Sequence, residues 1–170
     1  NNGNGTWTLA DNTISPALGQ GTFSVTATAT DVAGNVGTDG TANELLIDTT
    51  SPAVAINART TNDTTPQLTG TVGDNNASSG VVVRVTVNGN TYTATNNGNG
   101  TWTLPGNTIS PALSQGTFSV AVTGTDAAGN VGTDGTANEL VIDTTAPTIT
   151  VSSLTTSDTT PQLTGTVNDN

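Results

Sequence analysis

From residue 81 the chain alternates. Val81, Val83, Val85 and Val87 take every second position, with Val82, Arg84, Thr86 and Asn88 between them. Phe118, Val120 and Val122 alternate in the same way with Ser119, Ala121 and Thr123, and Trp102 and Leu104 with Thr101 and Thr103. A period of two puts successive side chains on opposite faces of a pleated strand, one face for a core and one for water. No helical period occurs, and β-branched residues are abundant. Asn88–Asn90 (NGN) and Asn96–Gly100 (NNGNG) supply the positive-φ positions that tight hairpins require.

The pattern predicts seven strands, at about 53–58, 66–72, 81–88, 91–95, 100–104, 116–125 and 137–143. Seven short strands in about 100 residues describe an all-β, immunoglobulin- or fibronectin-III-like, seven-strand antiparallel β-sandwich, here without a disulfide.

The pattern also repeats. Asn1–Asn75 aligns with Asn96–Asn170 without a gap, a period of 95 residues, and 57 of the 75 pairs are identical. Such a period is too long for a solenoid unit and suits one whole sandwich. Each junction falls where an apolar run ends, a Pro follows and a new run begins: IDTTSP (Ile47–Pro52) and IDTTAP (Ile142–Pro147). Proline suits the start of a strand after a short stiff linker. The chain therefore divides into 1–50, the last three strands of one copy; 51–145, a complete copy; and 146–170, the first two strands of a third. The expectation is a piece of a longer tandem array, whose terminal parts depend on neighbours for order.

Composition narrows the chemistry. Two basic residues, Arg59 and Arg84, stand against thirteen acidic ones, for a net charge of -11. That balance speaks against nucleic acid and anionic membrane surfaces as partners and favours cations. Cysteine, histidine, methionine and lysine are absent. Thiolate and imidazole metal sites and Ser–His or Cys–His nucleophiles are thus excluded. No membrane-spanning run is present, so no membrane insertion is expected. Paired acids alone can hydrolyse glycosides, but a sandwich of this size without a deep cleft is a poor host, and the expectation is no enzyme.

The phrases TDAAGNVG, VIDTTAPTIT and TTSDTTPQLTGTV resemble the tandem bacterial Ig-like domains of very large secreted adhesins. These include RTX-type biofilm and ice-binding adhesins exported by type I secretion. The resemblance runs through the whole chain. It implies an extracellular, cell-surface spacer that holds a terminal binding domain away from the cell. The partners it implies are neighbouring repeats of the same chain, with calcium at the domain junctions stiffening the string and the adhesion ligand bound by other domains.

The residues themselves support a cation. Threading seven strands from the linker brings the second–third, fourth–fifth and sixth–seventh strand loops to the linker end. That places Asp48 of the linker, Asp74 of the loop GDNNASSG and Asp126 of the loop DAAGN at one hinge. Three gathered carboxylates repel, and a hard divalent cation reverses that. Calcium takes six to eight oxygens without strict geometry, which favours it over magnesium. Asn75 and Asn130 are candidates to add amide oxygens. The second junction offers Asp143 and Asp169 without a sixth–seventh strand loop, and is expected to bind more weakly or not at all.

The alternative is turn chemistry alone, since Asp and Asn side chains bond nearby backbone N–H groups. That reading is preferred for Asp39, Asp134, Asp63 and Asp158, and Glu44 and Glu139 are expected to face solvent. Trp102 and Phe118 are expected in the core. A directly adhesive or carbohydrate-binding Ig-like module is the rival function. Sugar binding usually needs exposed aromatics, and the two Trp, two Phe and one Tyr all fall on inward-alternating positions.

Overall fold

The alternating runs become strands with the expected faces inward. The computed structural model describes residues 1–76 and 80–169. Residues 1–50 carry Gly21–Phe23 (β1), Thr28–Thr30 (β2), Val36–Thr38 (β3) and Leu45–Ile47 (β4). The complete copy carries Ala53–Ile56 (β5), Arg59–Thr61 (β6), Leu68–Gly73 (β7), Val82–Val87 (β8), Asn90–Thr93 (β9), Thr95–Asn96 (β10), Thr101–Leu104 (β11), Gly116–Phe118 (β12), Val120–Thr125 (β13), Val131–Thr133 (β14) and Leu140–Ile142 (β15). Thr148–Val151 (β16) and Gly165–Asn168 (β17) follow.

One layer of the complete copy runs β10-β11-β7-β5. The other is split into β14-β13-β8-β9 and β12-β15-β6. Val81, Val83, Val85 and Val87 are all buried, while Val82 is exposed, as the alternation requires. Trp102, Leu104, Leu68, Leu140 and Val122 complete the core, with Ile56, Tyr92 and Phe118 packed at its margin. Trp102 is fully buried and its Nε1–H donates to the Ala55 carbonyl at 3.0 Å.

Three of the seven expected strands change sheets partway. The first leaves β7 at Asn57 and continues as β6 beside β15. Both β6 and β15 run away from the linker, so this pair is parallel in an otherwise antiparallel fold. The fourth bends from β9, paired to β8, into β10, paired to β11. The sixth breaks at Ser119: β13 pairs with β8 and β14, whereas β12 pairs with β15. A sandwich twists, and a strand at its border is held by whichever layer offers an unpaired edge.

The last expected strand, 137–143, is observed only as β15; β14 lies outside every expected strand, in a stretch the pattern left as loop, and 134–139 loop between the two. Glu139 lies at this break. The expectation that it faces solvent is wrong: it is 7% exposed, and its Oε2 accepts the Val120 N–H at 3.0 Å. The break at Ser119 removes a ladder partner from Val120, and the carboxylate replaces it. Asp134 does the same across the sandwich, accepting the Ile56 N–H at 3.1 Å where the first strand leaves its sheet.

The terminal parts reproduce the local pairings of the complete copy in identical register. β1 pairs β4 as β12 pairs β15, β2 pairs β3 as β13 pairs β14, and β16 pairs β17 as β5 pairs β7. Their apolar faces are bare. Trp7 is 62% exposed where its counterpart Trp102 is fully buried, and Val167 is 69% exposed against 2% for Val72.

Candidate functional site

The loop after β7, the loop after β13 and the linker before β5 meet at one pole, as the threading requires. Ala53 pairs with Gly73 and Thr125 with Val82, so the ends of β7 and β13 flank the start of β5. One carboxylate oxygen from each of Asp48, Asp74 and Asp126 lies within 4.8 Å of the others. Among the described residues this is the one cluster of three acidic side chains at such separations. Asp126 is 9% exposed, while Asp48 and Asp74 are half-buried.

Asp126 is held by its own loop. Its Oδ1 accepts the Asn130 N–H at 2.8 Å and its Oδ2 accepts the Asn130 side-chain amide at 2.8 Å. Burial disfavours its charge, but bonds from Asn130, Ala128 and Gly129 outweigh that and hold the carboxyl below its ordinary value of 3.8. The loop of residues 31–35 closes identically, with Asn35 donating to Asp31 at 2.8 and 2.7 Å. The same closure at Asp31 and Asp126 makes the turn intrinsic to the sequence DxAGN.

What is peculiar to Asp126 is its company. The Asn130 amide also donates to the Asp48 carbonyl at 3.0 Å, tying the linker to the β13–β14 loop. Asn130 thus presents its amide nitrogen to Asp126 and to the linker carbonyl. Its role in this geometry is that of a staple. Asp48 also closes a turn of its own, Oδ1 accepting the Thr50 N–H at 3.0 Å. Asn75 is exposed beside Asp74, and residues 77–79 of the same loop lie outside the described residues. Gly132 faces the Pro52 carbonyl so closely that a Cβ would stand 1.7 Å from the oxygen. The linker is therefore clamped from two sides.

The other acids divide as their turns suggest, with the exception noted at Glu139; Asp134 closes its turn on the Thr136 N–H at 3.1 Å and serves Ile56 as well. Asp63 and Asp158 each accept the N–H two residues on, at 2.9 Å. Asp143 does so to Thr145 at 3.0 Å, and Asp169 is exposed; the structure does not bring these two into an acidic cluster. Three aromatic residues of the complete copy are engaged inside it. Tyr92, half-buried, donates its hydroxyl to the Ser110 carbonyl at 2.9 Å and accepts the Ser110 N–H at 3.0 Å.

Burial works against ionisation of both Asp134 and Glu139, yet backbone N–H donors (Thr136 and Ile56; Val120) bring each carboxyl below its ordinary value, 3.8 and 4.5. A depressed folded value means that the unfolded chain binds more protons in the window between the two values, so stability there rises with pH. The contribution is whole above the ordinary values and is lost as pH falls through them toward the folded values. Urea midpoints should hold level from pH 7 to about 5 and fall below it. Glu139→Gln, which has no such proton to gain, should flatten part of that fall.

The comparisons agree with the architecture. A comparison with curated proteins gave no match. The model of the bacterial Ig-like domain matches residues 53–144. Domains of this kind are typically not enzymes and commonly occur in surface or extracellular proteins. No described helix is long and apolar enough to cross a membrane. With more than half its length matched and the sandwich in place, the chain belongs to the bacterial Ig-like domain family.

Proposed function

We propose that the chain is an extender of a large secreted bacterial adhesin, a string of Ig-like repeats in which a Ca2+ ion at each complete junction fixes the angle between neighbours. The observation that supports this reading is the placing of a linker carboxylate, Asp48, against two loop carboxylates of the following domain, Asp74 and Asp126. Apart from a cation these charges oppose one another across the hinge. The donors are hard oxygens from separate loops, which suits calcium's variable coordination. The ion supplies positive charge that reverses the repulsion. The chain's own residues do the positioning: Asn130 holds the linker, and the DxAGN turn holds Asp126. With Trp102 buried and Tyr92 and Phe118 packed at the margin of the core, the complete copy favours the extender over a carbohydrate-binding module.

Calcium should raise the melting temperature, since a ligand that binds only the folded form stabilises by mass action. Asp74→Asn should shrink that shift sharply. Asp158→Asn, in a turn remote from the cluster, should leave it whole. Asp134→Ala should lower the melting temperature with and without calcium alike, because it removes the bond to Ile56 and not a donor of the cluster. Equal calcium shifts in the Asp74 and Asp158 variants would refute the site.

A further inference from the structure

The linker is gripped from the preceding side as well. The β1–β4 ladder ends with Gly21 opposite Ile47, so the residues after Ile47 pass Gln20. Gln20 Oε1 accepts the Thr50 hydroxyl at 2.5 Å and the Thr49 hydroxyl at 3.3 Å. Thr50 is held through its backbone too, because its N–H is the one that Asp48 Oδ1 accepts at 3.0 Å. One residue thus joins a side chain of the preceding copy to a carboxylate of the acidic cluster.

The end of the complete copy repeats the arrangement. Gln115, directly before β12, accepts the Thr145 and Thr144 hydroxyls at 2.7 and 3.1 Å, and the Thr145 N–H donates to Asp143 Oδ1 at 3.0 Å. Asp143 belongs to no cluster of three acidic side chains among the described residues. The network therefore forms from a repeat and its outgoing linker alone, with or without a cluster around the Asp.

We infer that Gln20 is a positioning residue of the cation site: acting through Thr50, it fixes the Asp48 carboxylate against the preceding copy before the ion arrives. The inference rests on the reading of the cluster as a calcium site. A carboxylate on a loose linker has to be ordered when the ion binds, and that ordering subtracts from affinity. Asp48 is ordered beforehand, and one accepted N–H leaves a carboxylate further lone pairs for a cation. The grip also decides what the ion couples. Asn130 and Gly132 hold the linker to the following domain, and Gln20 holds it to the preceding one. An ion on Asp48 then joins two domains, not one domain and a slack strap.

The test is titration calorimetry of the full chain with calcium chloride, on the wild type and on Gln20→Leu, Thr50→Val and Thr50→Ser. Leu removes the acceptor and Val the hydroxyl at little change in size, whereas Ser keeps the hydroxyl. Gln115→Leu makes the same break at the junction without a cluster. Gln20→Leu and Thr50→Val should each raise the calcium Kd by about three- to tenfold, the worth of one net hydrogen bond. Their melting temperatures in excess chelator should match the wild type's, since neither residue lies in the complete copy. Thr50→Ser and Gln115→Leu should bind calcium as the wild type does. An unchanged Kd in Gln20→Leu and Thr50→Val, or an equal rise in Gln115→Leu, would overturn the inference, and the cluster would stand if Asp74→Asn still lost affinity. A wild type that binds no calcium, or an Asp74→Asn variant that binds it as tightly, would overturn the site and this inference with it.

Discussion

Trp102→Ala is expected to destabilise the complete copy by about 3–5 kcal/mol, the cost of emptying a fully buried indole site. The same substitution at Trp7 should change the cooperative transition by less than about 0.5 kcal/mol, as for surface sites. The two residues sit in identical stretches, GTWTL, so local propensity cannot separate them. What separates them is cover. Trp102 lies under Gly70, packs against the β5–β7 pair and donates to the Ala55 carbonyl. Trp7 is 62% exposed. Urea denaturation followed by fluorescence, with each variant supplying the baseline for the other, checks both halves. Equal losses from the two substitutions would mean that residues 1–50 share the core of the complete copy.

Gly132→Ala is the second large effect. An added Cβ would stand 1.7 Å from the Pro52 oxygen and 2.8 Å from its carbonyl carbon, far inside contact. Backbone must move, and overpacking of this kind costs about 1–3 kcal/mol, occasionally more. The displaced segment is the linker end of β5, so the response of the melting temperature to calcium should shrink together with the stability. Gly37 is the counterpart in residues 1–50, and a Cβ there meets nothing within 4 Å. Gly37→Ala should be close to neutral. Thermal melts of the two variants with and without calcium separate the junction's contribution from that of the β13–β14 hairpin. A Gly132 variant with wild-type stability would show that Pro52 does not bear on β14.

The paired substitutions also show what the sequence could disclose. The valines of β8 and the Trp102–Leu104 run betrayed their faces because burial on one side of a sheet leaves a period of two. The threading that gathers Asp48, Asp74 and Asp126 followed from strand count alone, since each strand reverses direction. The sheet changes at Asn57, Thr93–Thr95 and Ser119 were not legible. They depend on which edge lies nearest after the layers twist, a relation between residues far apart in sequence. Glu139 was misread for the same reason. Its side chain serves Val120 only because the sixth strand breaks at Ser119, and an acid before Leu140 otherwise resembles any solvated strand residue. Its repeat at Glu44, which accepts the Val25 N–H at 3.0 Å, is the available signal: the carboxylate recurs with the Ser24 and Ser119 breaks. The staple that Asn130 forms was not legible either, because it depends on the Asp48 carbonyl 82 residues earlier.

The claim at the centre is that one cation shared by a linker and the following domain makes the string stiff. A chain of several such repeats, each junction carrying the equivalents of Asp48, Asp74 and Asp126, should be measured by small-angle X-ray scattering with calcium and again with excess chelator. The maximum dimension should be close to the summed length of the domains with calcium, with a clearly shorter, broader distribution without it. The change should disappear when the Asp74 equivalents are Asn. A maximum dimension that is the same in both conditions would contradict the stiffening, even if calcium were found bound at the cluster.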